Sequence, residues 1–420
     1  MNINEKLELL YSNLHKFSHF HENTIPLCAA ENVLSDFCKI PLNGDMQERY
    51  IMGNYLSYKV DDNFIGSQFL LPVYEMIQNQ CEVLFHSKYS DARTLSGMNC
   101  LTTLLMALTS LGDKIAILPP EWGGHASFQP VCERLGLIVY HLPYDESVFD
   151  IDYESANKLL NDENIPFVLL APSDILFPLS IEKLDLDGKE LLYDISQVMG
   201  LIAGRAMTSP LTSIENVVMF GGTHKTLPGP TSGLILTSND KIHKRLDTSI
   251  NPKYMRNTQM HQVASLLFAL LEMEEYGVEY SRSIITSAND LGYALEKQGF
   301  SVGKVNGRYS ETHQVFIFCD DEKEMEKINK NAIFYGVTLN KKQKPLFKNN
   351  GIRLGVQEIA RYGWNNDSLD SISLILKELI KECPDGSVVN SLKNLLPSKK
   401  IQFTFPDEQI DWFLDRLRKE

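Results

Sequence analysis

Six short apolar segments in the middle of the chain constrain its fold more than any other feature: Lys114–Leu118, Leu137–His141, Phe167–Ala171, Leu191–Tyr193, Val217–Phe220 and Leu234–Thr237. Their length suits strands, and their continuous apolar character suits strands covered on both faces. Helix-length segments separate several of them, so strand and helix alternate. That order predicts an α/β fold with a mostly parallel central sheet. Farther on, Met260–Glu275 has the apolar periodicity of a long helix, followed by charged helical segments and a second strand group around Val315–Phe318 and Ile352–Gly355. A chain of 420 residues exceeds what one core usually organises. The expected division is a helical arm over 1–22, a large domain over 23–275 and a smaller C-terminal α/β domain over 276–420. The arm rests on Leu7, Leu10, Tyr11 and Leu14, which share one face of an amphipathic helix and need a partner surface.

Charge narrows the function. A formal net charge of −14 repels nucleic acids and anionic membranes, which leaves a small molecule as the expected partner. The seven cysteines lie far apart, are odd in number and form no Cys-x-x-Cys pair, so neither disulfides nor a metal site is expected. The first residues carry no basic region followed by an apolar run, and no apolar stretch is long enough to span a membrane. A cytoplasmic protein is expected.

Four segments carry candidate chemistry. In Val217-Val218-Met219-Phe220-Gly221-Gly222-Thr223-His224-Lys225-Thr226, an apolar strand runs into glycines and then a lysine framed by hydroxyls. A lysine beyond the carboxyl end of a strand is suited to imine formation if its amine is partly unprotonated. Most lysines are solvated loop residues, so the lysine alone decides nothing. In Leu191-Leu192-Tyr193-Asp194-Ile195-Ser196-Gln197, a carboxylate ends another strand, 31 positions earlier (225 − 194). Such a group can keep a pyridinium nitrogen protonated, although an isolated Asp194 reads more often as a helix cap. Thr94-Leu95-Ser96-Gly97-Met98-Asn99 opens a helical run, where hydroxyls and free backbone N–H groups suit a phosphate or an ordinary N-cap. Trp122-Gly123-Gly124-His125 is a glycine turn that lets an imidazole approach a flat ligand.

Taken in this order, with Ala29-Ala30-Glu31-Asn32 near the start and Gly351-Ile352-Arg353-Leu354-Gly355 near the end, the chain resembles the serine hydroxymethyltransferase family over nearly its whole length. The resemblance implies a fold-type I, aspartate-aminotransferase-like enzyme that uses pyridoxal 5'-phosphate. It implies that Lys225 forms the internal aldimine, Asp194 pairs with the pyridine nitrogen, and His125 stacks on the ring. Ser96, Gly97 and the Met98 backbone would hold the phosphate, and Arg353 the substrate α-carboxylate. Ser173, Ser196, Gln197 and Thr223 are expected at the cofactor, and His224 beside the Schiff-base lysine. The family's dimers borrow residues across the interface, so a homodimer is expected, with Tyr50 and Tyr55 as candidate substrate contacts.

Three departures from the family pattern bear on the reaction. The family's Lys-Tyr-Ala-Glu-Gly segment, source of its catalytic glutamate, corresponds to Arg49-Tyr50-Ile51-Met52-Gly53, and a methionine cannot carry a proton. Asp-x-Ala-His becomes Asp194-Ile195-Ser196-Gln197, and a Gly-Gly loop becomes Arg256-Asn257. Glu311-Thr312-His313-Gln314-Val315 and Arg353-Leu354-Gly355-Val356-Gln357 resemble the L-threonine transaldolase branch more closely. The leading expectation is a folate-independent aldolase or transaldolase that makes or breaks the Cα–Cβ bond of a β-hydroxy-α-amino acid through a glycine quinonoid, with an aldehyde as acceptor. A folate-dependent hydroxymethyltransferase is the alternative. Transamination, racemisation or decarboxylation on the same cofactor, and a degenerate cofactor-binding subunit, are the others.

Overall fold

A computed structural model of the chain describes residues 1–49, 51, 64–255 and 257–419. The large sheet has seven strands: β1 (Tyr89–Asp91), β2 (Lys114–Ile117), β3 (Ile138–His141), β4 (Phe167–Leu170), β5 (Glu190–Asp194), β6 (Val217–Gly222) and β7 (Gly233–Thr237). They lie in the order β1-β7-β6-β5-β4-β2-β3. The pairs from β3 to β6 are parallel, while β7 runs antiparallel to both β6 and β1. The six apolar segments become β2 to β7, with no end displaced by more than two residues. β1 escaped the sequence reading because Tyr-Ser-Asp has no apolar run, and only its pairing with β7 makes it a strand.

The continuous apolar runs follow from two cores, one on each face. Leu191 and Tyr193 of β5 and Val217 and Met219 of β6 point into one core, and Leu192, Val218 and Phe220 into the other. Full burial of each such side chain stabilises the fold by roughly 1.5–3 kcal/mol, far more than any strand propensity. A charge at Leu192 would therefore break the sheet at its centre.

Three helices frame the sheet, α2 (Leu71–Phe85), α3 (Gly97–Leu108) and α4 (Met260–Lys297), and a further helix, α1 (Ile3–Asn23), does not pack on it. α2 and α4 cover the first core, and α3 covers the second. α1 starts at a capping box between Asn2 and Glu5, yet none of its residues is buried. Leu7, Leu10, Tyr11 and Leu14 are each more than half exposed, so the described residues of this chain do not supply the surface their stripe needs. Among the described residues no helix is long and apolar enough to cross a membrane.

A second, antiparallel sheet has four strands, β8 (Ser301–Val302), β9 (Gln314–Phe318), β10 (Asn340–Lys342) and β11 (Gly351–Gly355), in the order β8-β9-β11-β10. α4 serves both sheets. Its Leu266 and Leu270 share a core with β5 and β6, and its Leu291 and Leu295 share that same continuous core with Val315 and Ile352. The boundary expected near residue 275 thus lies inside an unbroken helix.

Candidate active site at the carboxyl edge of the large sheet

β5 and β6 end side by side, and the chain turns there with almost no space for side chains. A Cβ on Gly221 would lie 2.6 Å from Ser196 Oγ and 2.7 Å from Ser196 N. Beyond β6, hydroxyls pin the lysine loop. Thr223 Oγ1 donates to Pro230 O at 2.6 Å, and Thr226 Oγ1 donates to Gln197 O at 2.9 Å while accepting from Gly200 N at 3.1 Å. Asn32 Nδ2 donates to the Lys225 carbonyl and to Tyr280 Oη. The backbone is fixed, and the lysine side chain is left over. Lys225 Nζ has no hydrogen bond or ion pair among the described residues. Burial lowers its pKa and Arg353 lowers it further, against the opposing pull of Asp194 and Asp174. A less protonated amine is the better nucleophile.

Asp194, the last residue of β5, is buried. Its Oδ1 accepts from Ser196 N at 2.8 Å and from the Ser196 hydroxyl, and Ser196 Oγ in turn accepts from Gly222 N at 2.8 Å. Ser196 therefore ties the ends of β5 and β6 together and orients the carboxylate, whose Oδ2 has no partner among the described residues. Gln197 Oε1 accepts from Gln314 Nε2 at 3.0 Å, and Gln314 is held by Ser173 O and Ile175 N. Gln197 Nε2 is left as a donor without a partner among the described residues.

Ser96 caps α3, its Oγ accepting from Asn99 N at 3.2 Å. The first-turn amides of Gly97 and Met98 have no intrahelical acceptor. The start of α3 is pressed against the end of β6: a Cβ on Gly97 would lie 2.8 Å from Gly222 N. Free N–H groups and the helix dipole make this a place for an anion.

The Gly123-Gly124 turn packs as tightly. A Cβ on Gly124 would lie 1.9 Å from Leu118 O, and Gly123 has φ of +102°, where a side chain is strained. This turn carries His125, whose backbone N–H donates to Ala171 O at 2.9 Å and whose ring packs on Phe128 with centroids 4.4 Å apart. Burial lowers the His125 pKa; Asp194 acts against it, and Lys225 and Lys342 with it. Ser127 N donates to Nδ1 at 3.2 Å, which places the proton of the neutral ring on Nε2. His224 is different. Burial and Lys225 push it down to about 4, and its buried Nδ1 has no partner among the described residues. Ser173 is half-buried, and its amide donates to Gly123 O at 2.7 Å.

Arg353 reaches the site from β11 and is buried. Nη1 donates to Ser173 O at 2.8 Å and to Asp174 Oδ1 at 2.9 Å, and Asn340 Oδ1 accepts from Nε at 3.2 Å and from Nη2 at 2.6 Å. Asp174 also meets Lys342 Nζ at 2.9 Å and Lys344 Nζ. Burial alone would raise the Asp174 pKa, but Arg353, Lys344 and Lys342 outweigh it and hold it down to about 2.

The structure thus brings together Lys225, Asp194, His125, His224, Ser96, Gly97, Met98, Ser173, Ser196, Gln197, Thr223 and Arg353 around one sheet edge. Tyr50, Tyr55, Met52, Gly53 and Arg256 lie outside the described residues. Asp174, Asn340, Gln314, Lys342 and Lys344 were missed as site residues. Asp174 directly follows Ser173, and Asn340 and Lys342 alternate along one strand; those were the available signals.

The family model described as serine hydroxymethyltransferase matches residues 5–376. The chain belongs to the serine hydroxymethyltransferase family. Serine hydroxymethyltransferase of Sulfolobus acidocaldarius is 31% identical over 375 residues, covering 86% of this chain and 85% of the relative. That of Picrophilus torridus is 32% identical over 383 residues, covering 87% and 86%. The crystal structure of L-threonine transaldolase from Pseudomonas fluorescens in its internal aldimine state has the same fold, with a TM-score of 0.89 at 22% identity, covering 98% of this chain and 97% of that one.

As a member of this family the chain is a pyridoxal-phosphate enzyme. Its residues fit that cofactor on three observations among the described residues: an amine at Lys225 without a partner, one unpartnered oxygen on Asp194, and a helix start at Gly97 too tight for a Cβ but with first-turn amides free.

Proposed function

We propose that the enzyme makes or breaks the Cα–Cβ bond of a β-hydroxy-α-amino acid without folate, as an aldolase or transaldolase, and works as a cytoplasmic homodimer. The observation that carries this reading is the buried Lys225 amine, without a partner among the described residues and within the electrostatic reach of both Asp194 and Arg353. Bound pyridoxal phosphate supplies the electron sink that accepts the pair left on Cα when a bond to it breaks.

The chain's own residues do the rest. Lys225 would hold the cofactor covalently, Asp194 would pair with its ring nitrogen, and the Gly97 and Met98 amides with Ser96 would hold its phosphate. His125, a neutral Nε2–H donor, would pack on the ring, and Ser173, Ser196, Gln197 and Thr223 would line the cofactor. Arg353 draws in the α-carboxylate, with one Nη2 N–H free and its Nε–Nη2 edge held by Asn340 until substrate displaces it. His224, neutral near pH 7 with an open Nδ1, takes the proton of the β-hydroxyl as the Cα–Cβ bond breaks and the aldehyde leaves. Tyr50 and Tyr55 are candidate substrate contacts from the neighbouring subunit.

Met52, where the family pattern has its glutamate, supports independence from folate. The names of the relatives favour a second reading, folate-dependent hydroxymethyl transfer. The two separate when aldehyde release from L-threonine and L-serine is assayed with and without tetrahydrofolate. The expected outcome is release from threonine indifferent to folate; serine cleavage that requires folate would replace this reading with the second. Lys225→Ala should abolish the cofactor's absorption band and cut turnover by at least about a thousandfold, as for loss of a covalent nucleophile.

A further inference from the structure

β10 and β11 are antiparallel neighbours with Asn340 opposite Arg353 and Lys342 opposite Gly351. Side chains alternate along a strand, so Asn340, Lys342 and Arg353 share one face, while Lys341 lies on the other with Glu326. On that shared face Lys342 and Arg353 meet Asp174, and Lys344 joins from the next turn, its Nζ also donating to Pro120 O at 2.9 Å.

Charge does not balance here. Three cations face one carboxylate, which leaves a surplus of two positive charges in a region where Asp174 and Arg353 are buried and the lysine side chains are only 19% and 18% exposed. The substrate's α-carboxylate offsets one of the two. The other remains. Each ammonium group has three N–H donors, so Lys342 keeps two and Lys344 one beyond their contacts with Asp174 and Pro120. The surplus is sensed within the pocket, because Lys342 and Asp174 both act on the imidazole of His125, and Arg353 acts on both Lys342 and Lys225.

We infer that Lys342 and Lys344 form a subsite for a second carboxylate, carried on the side chain of the amino-acid substrate, so that the enzyme prefers acidic amino acids. Asp174 holds the two lysines and Arg353 in position. This inference rests on the reading that an amino acid enters with its α-carboxylate at Arg353. Cleaving the Cα–Cβ bond of such a β-hydroxy substrate would give glycine and an aldehyde that bears the second carboxylate. The β-hydroxyl proton passes to the base, and Cα gains a proton in place of Cβ.

The test uses the cofactor-loaded enzyme and reads binding rather than turnover. Dissociation constants are measured from the change in cofactor absorbance for L-aspartate against L-asparagine and for L-glutamate against L-glutamine, pairs alike in shape and different in charge. At least one acid should bind about tenfold more tightly than its amide, the worth of a charge-assisted hydrogen bond. That preference should disappear in Lys342→Gln and Lys344→Gln and return in Lys342→Arg and Lys344→Arg, whose unchanged cofactor spectra certify folding. Amides that bind as well as acids, or a preference that survives both glutamine variants, would overturn the inference. An acid preference that depends on the lysines, together with no aldehyde release from either L-threonine or 3-hydroxyaspartate, would uphold it and sink the aldol reading instead.

Discussion

On the large-sheet wall of the pocket, Asp194, Ser196 and the glycines at 97, 221 and 222 meet through backbone amides and a hydroxyl, with a single carboxylate among them. On the small-sheet wall, Arg353, Lys342 and Lys344 converge on Asp174. The first wall is set by shape: apart from the Asp194 carboxylate its polar groups are backbone amides and a hydroxyl, packed too closely for a Cβ at the glycines. The second is set by charge, and one carboxylate governs it. A cofactor that stays bound can be held by fixed geometry, whereas a substrate that enters and leaves is better drawn by a field.

The contrast can be broken most severely at Asp174. Asp174→Asn keeps the shape and removes the carboxylate that the three cations share, and should destabilise the protein by about 3 kcal/mol, as for a buried pair that loses one partner. Chemical denaturation measures it, and a change within error would mean that the cations are already neutralised by solvent. Gly97→Ala applies the complementary insult to the other wall, adding volume without charge. With its Cβ 2.8 Å from Gly222 N, it should cost about 1–3 kcal/mol and weaken cofactor binding, read as cofactor released on dialysis. If Gly97→Ala leaves both unchanged while Asp174→Asn does not, the shape-set wall is a misreading.

The smallest effect is on pH. His224 titrates near 4 in the folded protein and near 6.5 when unfolded, so the unfolded chain binds the proton first as pH falls. Its contribution to stability is complete above about 6.5 and is lost as pH drops toward 4. Asp174, held down to about 2 against 3.8, keeps its contribution above 3.8 and loses it only below that. The melting temperature should therefore fall between pH 6.5 and 4.5, and His224→Gln should flatten that fall. An equal fall in the variant would remove His224 as its cause.

Much of the first wall was legible in the sequence, because its chemistry is local. Val217–Gly222 running into Lys225, and Leu191–Tyr193 running into Asp194, each place a functional group at the end of an apolar run, and each run became the strand expected. The second wall was not legible. Asp174 and Lys342 are 168 positions apart (342 − 174), and each reads alone as a surface charge. Arg353 was found, but its engagement by Asn340 and Asp174 depends on the register of β10 against β11, which no local pattern encodes. The division at residue 275 failed to anticipate one element, because periodicity marks where a helix begins more clearly than which cores it will serve.

α4 has a consequence for the energetics of the whole chain. A rod of 38 residues seated in one continuous core leaves no seam along which half the molecule could melt while the other half holds. Amide protons at the middle of the helix, around Tyr276 to Tyr280, should exchange only through global opening and be among the slowest in the protein. The two walls of the site are thus tied to one helix, and loss of that helix would undermine both.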